Sequence, residues 1–292
     1  MMYEGNIIRP PSEANSLILQ VAVGCSHNRC SFCPAYKDKN FRLKTLEQIY
    51  SEIDSIPSSD RETVRRVFLC DGDPLIMPHE SLLKVMGHIR QRFGKLQRIG
   101  IYANAKSILR KSTEQLQALK QQKLGIIYMG LETGDPVTLD AIEKGMTPDE
   151  AVEAAVRVRD SGIKLNVTVL LGIGGVARSR QHASATIEVL NRMQPQHVAA
   201  LTLMVVPGTP LYAMQEQGRF ELPDKFGLLT ELKLMLQGSE LKRALFFSNH
   251  ASNYFPVNAR LPKDKVLLVT QLERIIAAQD EALLRPEVLR GL

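Results

Sequence analysis

Three of the chain's four cysteines, Cys25, Cys30 and Cys33, fall within a stretch of nine residues, and Cys70 stands alone. Cysteines that only fill a core scatter along a sequence, whereas three on one short loop can turn their sulfurs toward a common point, as in a metal centre. The spacing is C-x4-C-x2-C, and the number three matters as much as the spacing. A closed zinc site or an ordinary electron-transfer cluster takes four protein ligands, so three thiolates on a cubic four-iron cluster leave one iron open to a small molecule. An open iron implies chemistry at the metal. The competing reading is a zinc knot with His27 as fourth ligand, tetrahedral and without a redox role. Cys70, in an apolar run, reads as a small core residue, which leaves no thiolates for a second cluster.

Such a loop needs elements to position it. Residues 16–23 are an apolar run ending at Gly24, and residues 46–56 carry apolar side chains at helical spacing before Pro57, which reads as a strand and then a helix. The alternation continues, with strands expected at 64–70, 98–103, 124–131, 163–171 and 198–206. The intervening helices are expected at 79–93, 113–122 with Ser112 as cap, 135–143, 147–161 and 179–193. Six βα units in succession predict an α/β fold, a partial (β/α)6 TIM-like barrel over residues 1–215. Working sites in such folds lie at the C-terminal ends of the strands. Asp71-Gly72-Asp73-Pro74, Asn104, Glu132-Thr133-Gly134, Gly172 and Pro207-Gly208-Thr209-Pro210 all fall there.

Residues 216–292 read as a C-terminal extension that packs on the barrel and covers its mouth, with helices at 228–236 and 263–282 and a strand at 244–247. After that strand come Asn249, His250, Asn253 and Tyr254, hydrogen-bonding side chains suited to a loop that holds a substrate. His250 and Tyr254 are the candidates for proton exchange, and the alternative is a capped turn with buried amides. His182 and His197 read as structural.

Composition narrows the partners. At 292 residues and 44% apolar, one barrel-sized domain fits, and 37 basic against 31 acidic residues give a net charge of +6. This excess permits an anionic substrate or RNA without demanding a nucleic acid, because no Lys/Arg block stands out. No run approaches the ~18 apolar residues of a membrane span, the N-terminus Met-Met-Tyr-Glu-Gly-Asn lacks a signal pattern, and clustered thiols suit a reducing compartment. A cytoplasmic protein without a membrane partner is expected.

The motif ends Cys-Ser-Phe-Cys and resembles that of the radical S-adenosylmethionine (SAM) superfamily, typically C-x3-C-x2-C with an aromatic before the last cysteine; here the first gap is one residue longer. The resemblance implies that Cys25, Cys30 and Cys33 ligate a [4Fe-4S] cluster and that Phe32 packs near the adenine of SAM. Asp71-Gly72-Asp73-Pro74 resembles the Gly-Gly-Glu-Pro segment that receives SAM's amino group, although two of its four residues depart from that pattern. Gly130-Leu131-Glu132-Thr133-Gly134 resembles the Gly-Leu-Glu-Ser segment of the branch containing oxygen-independent coproporphyrinogen oxidase and the Elongator-type and methylthiotransferase enzymes. That branch places an acid or amide on SAM at Glu132, a basic residue facing its carboxylate at Lys144, and a ribose contact at Thr168, where aspartate is more typical. Asn104 and Gly172, at the exits of the third and fifth strands, complete the candidate cofactor set.

The activity implied by the resemblance is reductive cleavage of SAM to a 5′-deoxyadenosyl radical acting on an unidentified substrate, with electrons from a reducing partner such as flavodoxin or ferredoxin. Two alternatives share these motifs: a radical SAM methyltransferase, and an RNA-modifying enzyme, which would usually carry an added domain. The contrast from another class is a non-catalytic, zinc-stapled barrel serving as a binding module.

Overall fold

The computed structural model describes residues 3–291; Met1 and Met2, part of the N-terminal stretch read for a targeting signal, and Leu292 lie outside them. The main strands are β1 (Leu17–Gln20), β2 (Arg66–Cys70), β3 (Arg98–Tyr102), β4 (Leu124–Glu132), β5 (Lys164–Leu171), β6 (His197–Thr202), β7 (Ala244–Phe247) and β8 (Asn258–Leu261). The first six follow the expected βα alternation, and the fold is mostly parallel α/β. Internal packing divides the chain into two compact units. One takes the residues up to Asn28, Ala35–Met129 and Val156–Leu165; the other takes Arg29–Pro34, Gly130–Ala155 and the residues from Asn166 onward.

In the first unit β1, β2, β3 and β4 pair in parallel, with Leu17 opposite Val67 and Gln20 opposite Cys70. Both faces of β2 are covered: Val67, Phe68, Leu69 and Cys70 are all buried, so the strand reads as a continuous apolar run. Phe68 meets Tyr102 and Tyr128 edge-on, at centroid distances of 4.9 and 5.6 Å. Helices α1 (Leu46–Asp54), α2 (His79–Arg92) and α3 (Thr113–Gln121) bury Ile49 and Ile53, Leu82, Val85, Met86 and Ile89, and Leu116 and Leu119, respectively. Capping boxes start α1 at Thr45 with Gln48 and α3 at the expected Ser112 with Gln115, each cap being worth about 1 kcal/mol. The expected strand at 16–23 breaks at Val21, whose carbonyl accepts from Lys44 N. Ala22–Val23 then pairs with Arg42–Leu43 as a separate ribbon.

In the second unit β5, β6 and β7 are parallel, and β8 returns antiparallel to β7. Helix α4 (Pro148–Asp160) ends in residues of the first unit, while α5 (Gly175–Met193), α6 (Lys225–Gln237) and α7 (Lys265–Ala278) belong to the second, where α6 packs on both α5 and α7. Strand β6 stops at Thr202 rather than at 206; Leu203 N still donates to Leu171 O at 2.9 Å, and the side chains of Leu203 and Val205 pack with Ile142, Leu170, Ile173 and Leu211. Strand β8 was not expected from its Asn-Ala-Arg-Leu sequence, and it makes residues 248–257 a hairpin connection. Ser248 and Val257 exchange backbone hydrogen bonds of 2.8 and 3.4 Å at its base. Among the described residues no helix is long and apolar enough to cross a membrane.

Candidate active site

Strand β2 ends in a turn that closes on the first cysteine. Gly72 N donates to Gly24 O at 2.9 Å, and a Cβ on Gly72 would lie 2.4 Å from Cys25 Cβ and 2.9 Å from its Sγ. Only glycine allows this approach. Asp71 has φ +71° and is fully buried. Its Oδ2 accepts from Gly24 N at 2.7 Å and Gln20 Nε2 at 2.9 Å, and pairs with Lys39 Nζ at 3.3 Å. Pro74 opens a 3-10 turn over Pro74–Ile76.

Asp73 is also fully buried. Its Oδ2 accepts from Ser26 Oγ, Ser107 Oγ and Asn104 Nδ2, and its Oδ1 from Asn104 N at 3.2 Å. Burial pushes the carboxyl up to about 6, against the hydrogen bonds from Ser107, Ser26 and Asn104, so it is ionised at neutral pH. With Oδ2 already taking three donors, an incoming cation finds acceptor room at Oδ1. Asn104 also caps Ala105–Leu109 by accepting from Ser107 N at 2.8 Å. The structure thus joins the expected Asp73 and Asn104, and adds Ser26 and Ser107, which no sequence motif singled out.

In the second unit, backbone bonds fix the segment carrying the other two cysteines. Cys33 N donates to Cys30 O at 3.3 Å, Ser31 N to Ile142 O and Leu211 N to Ser31 O, both at 3.0 Å. The cysteine segment is therefore tied to the end of the short helix Pro136–Ala141 and to the Pro-Gly-Thr-Pro-Leu string. Phe32 is half-buried and packs on the cluster of Ile142, Leu170, Ile173, Leu203 and Leu211.

Glu132 ends β4 with φ +66°, and its Oε1 meets Lys144 Nζ at 2.6 Å, with side-chain exposures of 10% and 13%. Burial works against the charge on Lys144, but Glu132, Cys30 and Cys33 outweigh it and raise its pKa. A Cβ on Gly130 would come within 2.1 Å of Glu132 Oε1 and 3.0 Å of Lys144 Nζ, so glycine makes room for the pair. Thr168 is half-buried on β5, opposite Ala199. Gly172, with φ +86°, donates its N–H to Glu231 Oε2 at 2.6 Å.

Among the described residues no three His, Cys, Asp or Glu side chains gather around a single-ion position. All four cysteines are thiols; Cys25, Cys30 and Cys33 are half-buried and Cys70 is buried. The donor set and the close glycine at Cys25 fit a thiolate-held cluster.

The sequence description of the radical SAM superfamily matches residues 19–183. The chain belongs to the radical SAM superfamily. Members of this family use a [4Fe-4S] cluster and SAM. The radical SAM chain is similar to a heme chaperone from Bacillus subtilis, 24% identical over 184 residues, covering 62% of this chain and 47% of that protein. A hopanoid C-2 methylase from Rhodopseudomonas palustris is 27% identical over 209 residues, covering 69% and 38%. The chain thus spans about half or less of the length of these relatives. In fold it resembles methylornithine synthase, with a TM-score of 0.56 at 17% identity, covering 88% of this chain and 68% of that one.

The C-terminal candidates of this radical SAM chain are engaged by the protein itself. Asn253 Oδ1 accepts from Thr202 Oγ1 at 2.8 Å and its Nδ2 donates to Ala200 O at 3.0 Å. His250 Nδ1 lies 3.0 Å from Ser252 Oγ, and Asn249 Nδ2 donates to Asn258 Oδ1 across the hairpin at 2.9 Å. Tyr254 OH donates to Glu287 and accepts from Arg290, whose guanidinium lies 4.1 Å over its ring. Arg285 Nη1 donates to the carbonyls of His250, Ala251 and Asn253. Burial pushes Tyr254 up to about 12, and burial with the charge of Arg285 lowers His250. The hairpin and the C-terminal residues engage these side chains, as the alternative of a capped turn with buried amides has it.

Sequence reasoning also missed Glu231. It is fully buried on α6, accepts from Ser179 Oγ at 2.6 Å besides Gly172 N, and is pushed up to about 7 by burial. His182 Nε2 lies 3.6 Å away, while His182 Nδ1 is 2.7 Å from Thr133 Oγ1 and burial lowers the ring to about 4. The available signal was one acid at a core position among Leu228, Leu229, Leu232, Met235 and Leu236.

Proposed function

We propose that this chain is a radical SAM enzyme that holds a [4Fe-4S] cluster on Cys25, Cys30 and Cys33, binds SAM beside it, and acts on an unidentified substrate. The observation that carries this reading is the Glu132–Lys144 pair, poised in the field of Cys30 and Cys33. It brings cofactor candidates from β4 and the segment after it together with two of the candidate ligands. When bound, the cluster supplies the electron that splits SAM into methionine and a 5′-deoxyadenosyl radical, which takes hydrogen from the substrate.

The protein's part is binding and exclusion. Lys144 offers a cation to the SAM carboxylate, while Glu132 and Asp73 offer acceptors to its ammonium. Gly72 lets the β2 turn reach the first ligand, and Phe32 gives the loop an apolar anchor on the adenine side. Thr168 and Gly172 are assigned to the nucleoside, and Asn104 orients Asp73. Residues 1–215 are proposed as the core and 216–292 as an extension packed on it. The electron donor is proposed to be a small reductant such as flavodoxin or ferredoxin.

Anaerobic reconstitution with iron and sulfide, followed by assay of 5′-deoxyadenosine with and without reductant, tests the proposal. Reductant-dependent cleavage is expected. A colourless protein that binds zinc and turns over no SAM would instead establish the zinc-stapled binding module. The likeness to the hopanoid C-2 methylase favours methyl transfer as a second reading, which S-adenosylhomocysteine beside deoxyadenosine would reveal.

A further inference from the structure

Asp71 stands in the turn assigned to SAM by resemblance, yet its carboxylate is fully buried and turned into the protein. Its φ of +71° is a left-handed conformation that glycine adopts freely and other residues adopt seldom, and the buried contacts of the carboxylate hold it there. Oδ2 accepts the N–H of Gly24, the residue immediately before Cys25. Gly72 N donates to the carbonyl of that same Gly24. Two successive residues of the β2 turn therefore pin the two successive peptide planes that lead into Cys25.

The carboxylate is itself held by a buried network. Lys39 Nζ, 5% exposed, pairs with it and donates to Asn6 O at 2.7 Å. Gln20 Nε2 donates to Asp71 Oδ2 and to Glu4 O, and Gln20 Oε1 accepts from Glu4 N. Residues 4–6 thus strap the Asp71–Lys39 pair in place. A buried ion pair braced in this way fixes geometry, and breaking one side alone leaves an uncompensated charge.

We propose that Asp71 is a positioning residue for Cys25 and not a contact of SAM: with Lys39, Gln20 and the strap, it fixes the backbone from which the first cluster ligand extends. This rests on the reading of Cys25 as a ligand. Partners of this kind behind metal ligands typically set the hold on the metal, and their loss weakens it roughly ten- to a hundredfold.

The test compares two paired substitutions that both remove the buried charges. Lys39→Met with Asp71→Asn keeps an acceptor for Gly24 N–H, whereas Lys39→Met with Asp71→Gly removes it. After anaerobic reconstitution, iron loss to a chelator, the electron paramagnetic resonance of the reduced cluster and the melting temperature of the iron-free chains are measured. The Asn chain should hold iron as the unsubstituted protein does. The Gly chain should melt at a similar temperature yet lose iron on the order of ten times faster, with shifted g-values. Equal iron loss and identical spectra for the two would overturn the proposal, as would iron loss that only follows a lowered melting temperature. Asp71→Glu keeps the charge opposite Lys39 and displaces the acceptor by one methylene, so it gives the same comparison should the paired variants not fold. An unsubstituted chain that takes up no cluster would instead defeat the radical SAM reading itself.

Discussion

The strand-end turns at 71–74 and 130–134 and the hairpin loop at 249–254 are equally rich in polar side chains, and they are built in opposite ways. In the first two, non-glycine residues hold left-handed backbone, Asp71 at φ +71° and Glu132 at φ +66°. Glycines there admit groups that a methyl would displace. Such conformations cost of order 1–3 kcal/mol each and persist where surrounding contacts demand them. At Glu132 and Lys144 the result is a charged pair still partly open to solvent. The hairpin residues show no such backbone, and Asn253 is only 2% exposed, with both ends of its amide bonded. Polarity after a strand is therefore shared by all three segments; left-handed non-glycine backbone separates the two strand-end turns from the hairpin.

The hardest test of that contrast is at the cysteines. Cys30→Ala should lose most of the iron after anaerobic reconstitution, and Cys70→Ala should keep it, because Cys70 is fully buried and burial pushes its thiol up to about 12. Full iron content in Cys30→Ala would remove the chemistry from the strand ends.

A graded test uses the two glycines. In Gly130→Ala the methyl meets the movable end of Glu132, so the fold should survive while SAM binding weakens by about 1.5 to 3 kcal/mol, on the order of ten- to a hundredfold. In Gly72→Ala the methyl meets Cys25 Cβ and Cα at 2.4 and 2.8 Å, a conflict expected to cost about 1–3 kcal/mol of stability and to lower iron content. Calorimetric SAM titration and thermal melts check both. Unchanged SAM affinity in Gly130→Ala would detach the Glu132–Lys144 pair from the cofactor.

Much of this was legible because it repeats. Six apolar runs alternating with helical spacing gave the βα order, and the expected Ser112 caps the helix that follows it through side-chain chemistry local in sequence. What escaped depends on contacts distant in the chain. The four residues of β8 carry no apolar run and become a strand only by pairing with β7. Leu203 and Val205 look like strand residues because their side chains fill an apolar cluster beyond the end of β6. Glu231 belongs to no motif; what matters about it is Gly172, 59 residues away.

Glu231 sharpens the comparison, since it reaches from the C-terminal segment to a strand-end turn. Burial raises its folded pKa to about 7 from the usual 4.5, so the neutral acid's contribution to stability is complete below about pH 4.5. It is lost as pH rises through 7, a change of about 3 kcal/mol. Glu231→Gln stays neutral and keeps a side-chain oxygen for Gly172 N–H. The melting temperature of the unsubstituted chain should therefore fall relative to that of Glu231→Gln between about pH 5 and 8. Asp73, raised to about 6, titrates in both chains and cancels in the difference. Parallel melting curves across that range would show that Glu231 does not titrate as placed.

The smallest effect is expected in the hairpin, where it also decides the most about that loop. Asn253→Ala removes the acceptor of Thr202 Oγ1 and the donor to Ala200 O, both within strand β6. Thr202 is itself buried, so its hydroxyl cannot turn to solvent, and a buried group left unsatisfied costs roughly 1 to 3 kcal/mol. For a chain of this size that lowers the melting temperature by on the order of 5 °C. Asn249→Ala, whose bond to Asn258 lies at the surface, should change it very little, since exposed amides exchange such bonds for water. SAM cleavage per bound iron should be the same in both variants and in the unsubstituted chain. A normal melt for Asn253→Ala, combined with loss of product from a true substrate and undiminished SAM cleavage, would return the loop to the active site and break the contrast with the strand-end turns.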